Sequence, residues 1–464
     1  ITITDNPGGN PAILADYLGM EILKLGIEPL VHFTCKDKNR NQMESQLYAL
    51  DRAGVRNLLV MTGDYPVSGF KGRPKPVFDL DPTHALELVS EMNQGLEIPG
   101  LKGPIYHQKS DFFAGAAVSP FKAAEAELMV QYYKLKKKVA GGAQFIVTQL
   151  GYDARKFHEV LQFLKVNNLD IPVIGNIYLL PFGAAKLMNS NALPGCVVTD
   201  KLLAELDMER LAEDKGMGAR LLRAAKMYAF MKGMGFAGVH IGGHGIKYEQ
   251  VEYIIEKGEE LSANWMDLIP QFDYPQKNGF YYFARDEKTG LNTETPVNRK
   301  GLSLDAPVGT GYRMMRMMHA LAFEPGKALF PLMQRIYENC GDNRAHTFEH
   351  IAKVITNDCK DCGDCALLDM AYLCPMSQCP KHQRNGACGG SYEGWCEVYP
   401  NEKKCVWVRA YARLKEYGEE GQLDLYRIPP ANWNLYQTSS WRNFFLGKDH
   451  SAERFGIKPP AAKK

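Results

Sequence analysis

Eight cysteines fall between residues 359 and 405, in the order Cys359-x2-Cys362-x2-Cys365-x8-Cys374-Pro375-x3-Cys379-Pro380-x7-Cys388-x7-Cys396-x8-Cys405. A C-x2-C-x2-C run lets three thiolates converge on one centre from a single tight loop, and a following Cys-Pro is a feature of ferredoxin-type 4Fe-4S sites. Eight thiolates make two four-ligand centres. The run favours a 4Fe-4S cluster, but four thiolates also make a tetrahedral zinc site, so spacing alone leaves open both the metal and the division of the cysteines. A disulfide framework would need an oxidising compartment, and the opening residues Ile1-Thr2-Ile3-Thr4-Asp5 have neither the basic region nor the apolar core of a signal peptide. The other three cysteines, Cys35, Cys196 and Cys340, are scattered, so the chain divides near residue 340.

A second set of polar and small residues lies where short apolar runs stop: Thr4, His32 to Cys35, Thr62-Gly63-Asp64, Ala116-Ala117, Thr148-Gln149 and Gly242-Gly243-His244. The runs themselves, at 1–4, 29–34, 57–62, 112–118, 144–149, 172–177 and 237–242, alternate with amphipathic stretches such as 11–25, 43–53, 121–139 and 221–232. That alternation predicts βα units and a parallel sheet, and the sum is a (β/α)8 barrel one strand short. The chain begins without methionine, and the first strand is expected ahead of Ile1. Barrel chemistry sits at the C-terminal ends of the strands. Singly, each of these residues has a structural explanation: Gly63-Asp64 as a turn, Gln149 as a helix start, His32 bonded to backbone. Their convergence on one barrel face is what points to a site.

The set His32-Phe33-Thr34-Cys35, Asn57 to Pro66 (NLLVMTGDYP), Gly115-Ala116-Ala117, Lys136 to Ala143 (KKKVAGGA) and Phe145 to Gln149 (FIVTQ) resembles methylenetetrahydrofolate reductase, in order, over about the first 245 residues. The resemblance implies a flavin across the barrel top, a pterin stacked on it and hydride transfer between them. Thr4, His32, Thr62, Gly63, Asp64, Ala117 and Lys138 fall where that family contacts flavin, and Gln149 where it hydrogen-bonds the pterin. Asp64 would tune the flavin potential and Lys138 would pair with its phosphate, so Asp64 and Gln149 are the expected catalytic residues. Gly115-Ala116-Ala117 would keep side chains small beside a ring. The family's general acid, a glutamate ending the first strand, has no counterpart in this chain. Gln131 and Tyr132 stand where a carboxylate is expected to hold the adenosine of FAD, which keeps FMN open beside FAD.

The cysteine segment, about 345–415, resembles the cysteine-rich domain or small subunit that accompanies reductases of anaerobic one-carbon metabolism, through Cys374-Pro375-Met376, Arg384 to Gly390 and Cys405-Val406-Trp407-Val408. It implies electron delivery through one or two 4Fe-4S clusters, or one cluster plus zinc, from a ferredoxin or a larger redox complex. The expected organisation is a flavin barrel at 1–261, a linker and helical connection at 262–344, the cysteine domain at 345–415 and an extended tail at 416–464. Met314, Met315, Met317 and Met318 are expected as core filling. The tail aromatics, Trp433, Trp441 and Phe444-Phe445, suit docking on the chain's own surface or on another subunit, and an oligomer is expected.

With 55 basic and 53 acidic residues there is no general electrostatic case for a nucleic-acid or anionic-membrane partner. No apolar run approaches the ~20 residues that span a bilayer, so the expectation is a soluble cytoplasmic protein with no membrane insertion. The reading is thus a tetrahydrofolate-type reductase. Two rivals are a pterin-dependent methyltransferase barrel, which needs no flavin, and a non-catalytic electron-transfer or scaffold subunit.

Overall fold

Each of the seven apolar runs forms a strand whose ends lie within one residue of those expected. The strands are β1 (Thr2–Ile3), β2 (Leu30–Thr34), β3 (Asn57–Met61), β4 (Phe113–Val118), β5 (Phe145–Thr148), β6 (Val173–Tyr178) and β7 (Gly238–Gly242). This computed structural model describes residues 1–297 and 308–459; the linker residues 298–307 and the basic end 460–464 lie outside the described residues. All seven strands pair in parallel in chain order, with Thr2 opposite Leu30, His32 opposite Leu59, Leu59 opposite Gly115, Gly115 opposite Phe145 and Asn176 opposite His240. Leu30, Asn57, Phe113, Phe145, Ile174 and Gly238, from six of the strands, line one pocket at their N-terminal ends. The sheet is therefore curled like a TIM barrel, with β1 and β7 at its edges.

Helices follow the strands as the alternation requires: α1 (Ala15–Lys24), α2 (Arg40–Ala53), α3 (Pro82–Gln94), α4 (Glu125–Ala140), α5 (Ala154–Val166), α6 (Phe182–Asn189), α7 (Asp200–Glu209), α8 (Met217–Met234) and α9 (Tyr248–Leu261). Their starts are set by caps. The Asn39 side chain accepts the Gln42 N–H at 3.0 Å, which starts α2 earlier than periodicity suggested, and Asp81 accepts from the Thr83 N–H at 2.8 Å to open α3.

Leu59, Phe145 and Val147 form an apolar plug inside the curl. A Cβ on Gly115 would stand 2.3 Å from the Phe145 ring, so that glycine makes room for a protein side chain. The expectation that its smallness serves a bound ring is corrected accordingly.

Beyond the barrel come α10 (Thr310–Ala322), α11 (Phe330–Asn339) and α12 (Asp342–Asn357). The methionines of α10 do not fill a core. Met314, Met317 and Met318 are more than half exposed, because α10 buries itself through Tyr312 and Ala322 instead. The tail docks on the chain itself: Phe444, Phe445 and Ala452 form a second core with Phe330, Tyr337 and Ala345, and the Trp433 indole N–H donates to Asp79 at 2.7 Å. Among the described residues no helix is long and apolar enough to cross a membrane.

Candidate active site and cysteine centres

The barrel mouth collects the expected residues because β1 to β5 are neighbours and all point the same way. Thr4 follows β1, His32 lies in β2, Thr62 to Asp64 follow β3, Ala117 lies near the end of β4 and Gln149 follows β5. Asp64 is exposed, with one carboxylate oxygen accepting the Gly8 N–H at 2.7 Å. The Gln149 Oε1 accepts the Leu150 N–H at 2.9 Å, and no hydrogen bond is formed by its Nε2 among the described residues. Burial, reinforced by the neighbouring His240 ring, pushes the His32 pKa down to about 4, so His32 is a neutral donor and acceptor at ordinary pH. Deeper in the curl, His240 Nδ1 lies 3.2 Å from Asn176 Oδ1. Asp5 joins the strand ends, accepting from Thr34 Oγ1 at 2.6 Å and Lys38 Nζ at 3.1 Å.

Lys138 occupies a different place from that of a phosphate ligand. It is buried on α4, its ammonium donates to the Ala117 carbonyl at 2.5 Å, and burial together with the charge of Lys134 lowers its pKa to about 7. The structure thus joins two of the expected cofactor residues to each other. Thr62 is also spent, its hydroxyl donating to Gln383 Oε1 at 3.1 Å.

Gln383 belongs to the cysteine module, and the tertiary structure divides the eight cysteines that spacing could not. Cys359, Cys362, Cys365 and Cys374 line one cavity, together with Lys353 and Asp361. Cys379, Cys388, Cys396 and Cys405 form the other set, in which Cys388 and Cys379 each feel the charge of neighbouring members. A single helical turn, Pro375–Gln378, separates the last cysteine of the outer set from the first of the inner one. Only those four residues lie between Cys374 and Cys379, so the two sets are joined by a short connection.

No cysteine is disulfide-bonded. Burial and mutual repulsion push the thiols up, to about 12 for Cys362 and Cys379 and about 11 for Cys388. Such thiolates form readily only beside compensating positive charge, which is what a metal centre provides. Lys353 supplies part of it to the outer set, its buried ammonium lying 3.4 Å from the Cys365 sulfur. A compact trio of metal-type donors, His346, His350 and Asp361, with donor atoms within 4.8 Å of one another, lies beside the outer set.

The inner set is seated on the barrel mouth by lysines that sequence reading passed over. Lys134 of α4, fully buried, donates to Gln383 Oε1 at 2.7 Å, the Gly386 carbonyl at 3.1 Å and the Ala387 carbonyl at 3.3 Å. Lys122 donates to the carbonyls of Gly389 and Ser391. From the module, Lys381 pairs with Glu397 and reaches back to the Gly63 carbonyl at 2.8 Å, beside Asp64. Gln131, where a carboxylate for adenosine was expected, gives its amide to the Ala387 carbonyl at 3.3 Å. The available signal was a run of basic residues, Lys134 and Lys136 to Lys138, on α4. It reads as a solvated face until the partner surface is known.

Comparison with known proteins finds matches in both the strand-bearing and the cysteine-rich parts of the chain. Residues 339–434 match a family model described as "Methylene-tetrahydrofolate reductase C terminal". Methylenetetrahydrofolate reductase 2 of Saccharomyces cerevisiae is 25% identical over 195 residues, covering 40% of this chain and 30% of the yeast protein. The 5,10-methylenetetrahydrofolate reductase of Pectobacterium carotovorum is 23% identical over 154 residues, covering 33% of this chain and 44% of that protein. The chain thus spans less than half the length of the curated relatives it matches. A solved Clostridium thermocellum protein, described as binding two copies of 5-methyl-5,6,7,8-tetrahydrofolic acid, is similar only loosely: TM-score 0.34 and 12% identity over 52% of this chain and 75% of that one. The methylenetetrahydrofolate reductase model itself matches residues 1–242, the whole strand-bearing half that builds the mouth, and on that match this chain belongs to the methylenetetrahydrofolate reductase family, a family of oxidoreductases.

Proposed function

We propose that this chain interconverts 5,10-methylenetetrahydrofolate and 5-methyltetrahydrofolate on a flavin at the barrel mouth, with electrons delivered through iron-sulfur centres in the cysteine module. The observation that carries the reading is the seating of the inner cysteine set on the strand ends, where Lys381 bridges the module to Gly63 beside Asp64. A separate zinc-stabilised domain would need no such placement. A bound flavin supplies hydride chemistry; the chain's own groups orient and tune it. Asp64 places a carboxylate that disfavours further negative charge beside it, neutral His32 offers a hydrogen bond without adding charge, and the Gln149 amide nitrogen is free to donate to a pterin edge.

FMN fits better than FAD here, because the Gln131 amide expected near an adenosine is taken by the Ala387 carbonyl. The Cys359-x2-Cys362-x2-Cys365 run, with Cys374-Pro375 after it, supports an iron-sulfur cluster over zinc in the outer set. The electron donor on this reading is a ferredoxin or a larger redox complex docking near the outer set.

An anaerobic ultraviolet-visible spectrum with iron and zinc counted per chain tests the proposal. Flavin bands near roughly 450 nm over a broad iron-sulfur shoulder, bleached by 5-methyltetrahydrofolate, are the expected result. Zinc without flavin, and no bleaching, would overturn it in favour of a methyltransferase barrel or a scaffold subunit.

A further inference from the structure

Outside both cysteine sets, two histidines and a carboxylate converge on one point. His346 and His350 stand one turn apart on α12, so their rings lie on the same face, 5.3 Å between centroids and inclined by only 15°. Asp361 comes from the loop between Cys359 and Cys362. His346 Nε2 lies 2.9 Å from each Asp361 oxygen, His350 Nδ1 lies 3.7 Å from Oδ1, and all three donor atoms are within 4.8 Å of one another. Two ligands each about 2.1 Å from one ion, at angles of 90–110°, are roughly 3.0–3.4 Å apart, which these distances bracket.

An ion pair between His346 and Asp361 would explain only half of the arrangement. His350 Nδ1 is buried and has no hydrogen-bond partner among the described residues, although it faces the same carboxylate. A cation between the three groups would satisfy that nitrogen. We infer that His346, His350 and Asp361 form a third metal site, for a divalent first-row transition ion such as Zn2+, separate from the two cysteine sets. Imidazole and carboxylate donors suit an ion of that hardness, and the half-buried position leaves the remaining coordination to water. The ion would pin α12 to the loop that carries Cys359, whose sulfur accepts the Asp361 N–H at 3.4 Å.

The test uses the full chain, purified anaerobically, washed with a mild chelator and with its iron counted before and after. Zn2+ titrated calorimetrically should bind at one site per chain, and Co2+ should give ligand-field bands without sulfur-to-metal charge transfer. His350→Ala, which removes no hydrogen bond, and His346→Ala should each weaken Zn2+ binding by about a hundredfold or more, with iron content unchanged. No uptake, equal uptake by the variants, or sulfur charge-transfer bands on Co2+ addition would each overturn the assignment.

Discussion

The barrel and the cysteine module are held together by different means. In the barrel, successive parallel strands satisfy one another's backbone groups along a regular ladder, and apolar side chains fill both faces. From Asp358 to Cys405 the only helix is one four-residue turn, and seven non-glycine residues, Asp358, Asp361, Ala371, Tyr372, His382, Glu393 and Asn401, have positive φ. Each such residue costs roughly 1–2 kcal/mol relative to a right-handed conformation. Backbone of that kind persists only where surrounding contacts over-determine it. Here they include buried lysines aimed at carbonyls, those of Lys122, Lys134 and Lys381. A self-sufficient ladder thus supports a module that depends on its anchors.

Loss of the proposed metal centres should break this contrast most severely. Structural metal sites contribute on the order of 10 kcal/mol to folding, so, on the proposed reading, chelating the metal from the cysteine sets should melt residues 358–405 and leave the β2 to β6 ladder intact. Hydrogen exchange read by mass spectrometry would show protection lost in the module alone; joint loss in the barrel would mean that the two regions are one cooperative unit. Lys134→Met comes next. It strips three buried acceptors of one shared donor, and about 3 kcal/mol of stability should disappear in urea unfolding, with the module exposed first.

Gly115→Ala probes the barrel by itself. The added methyl meets the Phe145 ring, and a destabilisation of about 2 kcal/mol is expected, largely relieved by Phe145→Leu in the same chain. The smallest effect concerns His32. Its pKa is held down to about 4 in the folded chain, mainly by burial, against about 6.5 unfolded, so between those values the unfolded chain binds more protons. The stabilisation is complete above about pH 6.5 and is lost progressively towards pH 4; by pH 5 it should amount to a loss of about 1 kcal/mol, allowing for partial exposure. His32→Gln should flatten that part of the melting-temperature profile.

Much of this was legible from residue order. Every barrel strand follows from a short apolar run, and the mouth residues follow from the rule that strands deliver chemistry at their C-terminal ends. What could not be read was long-range pairing. Lys134 and Lys138 sit one helical turn apart in the same basic run, yet one clasps the module and the other props up the Ala117 carbonyl. The Met314 to Met318 stripe has helical spacing, but spacing does not say whether a partner covers that face, and here three of the four methionines are exposed.

The parallel sheet and the thiolate-rich module are legible in residue order alone, because periodicity and ligand clustering are local properties written in neighbouring residues. Which four cysteines fall together, which set faces the barrel mouth, and that His346 and His350 meet Asp361 are outcomes of tertiary packing. Those outcomes depend on how loops without a repeating pattern close over one another, and their closure is set by contacts between residues hundreds of positions apart, such as Thr62 with Gln383.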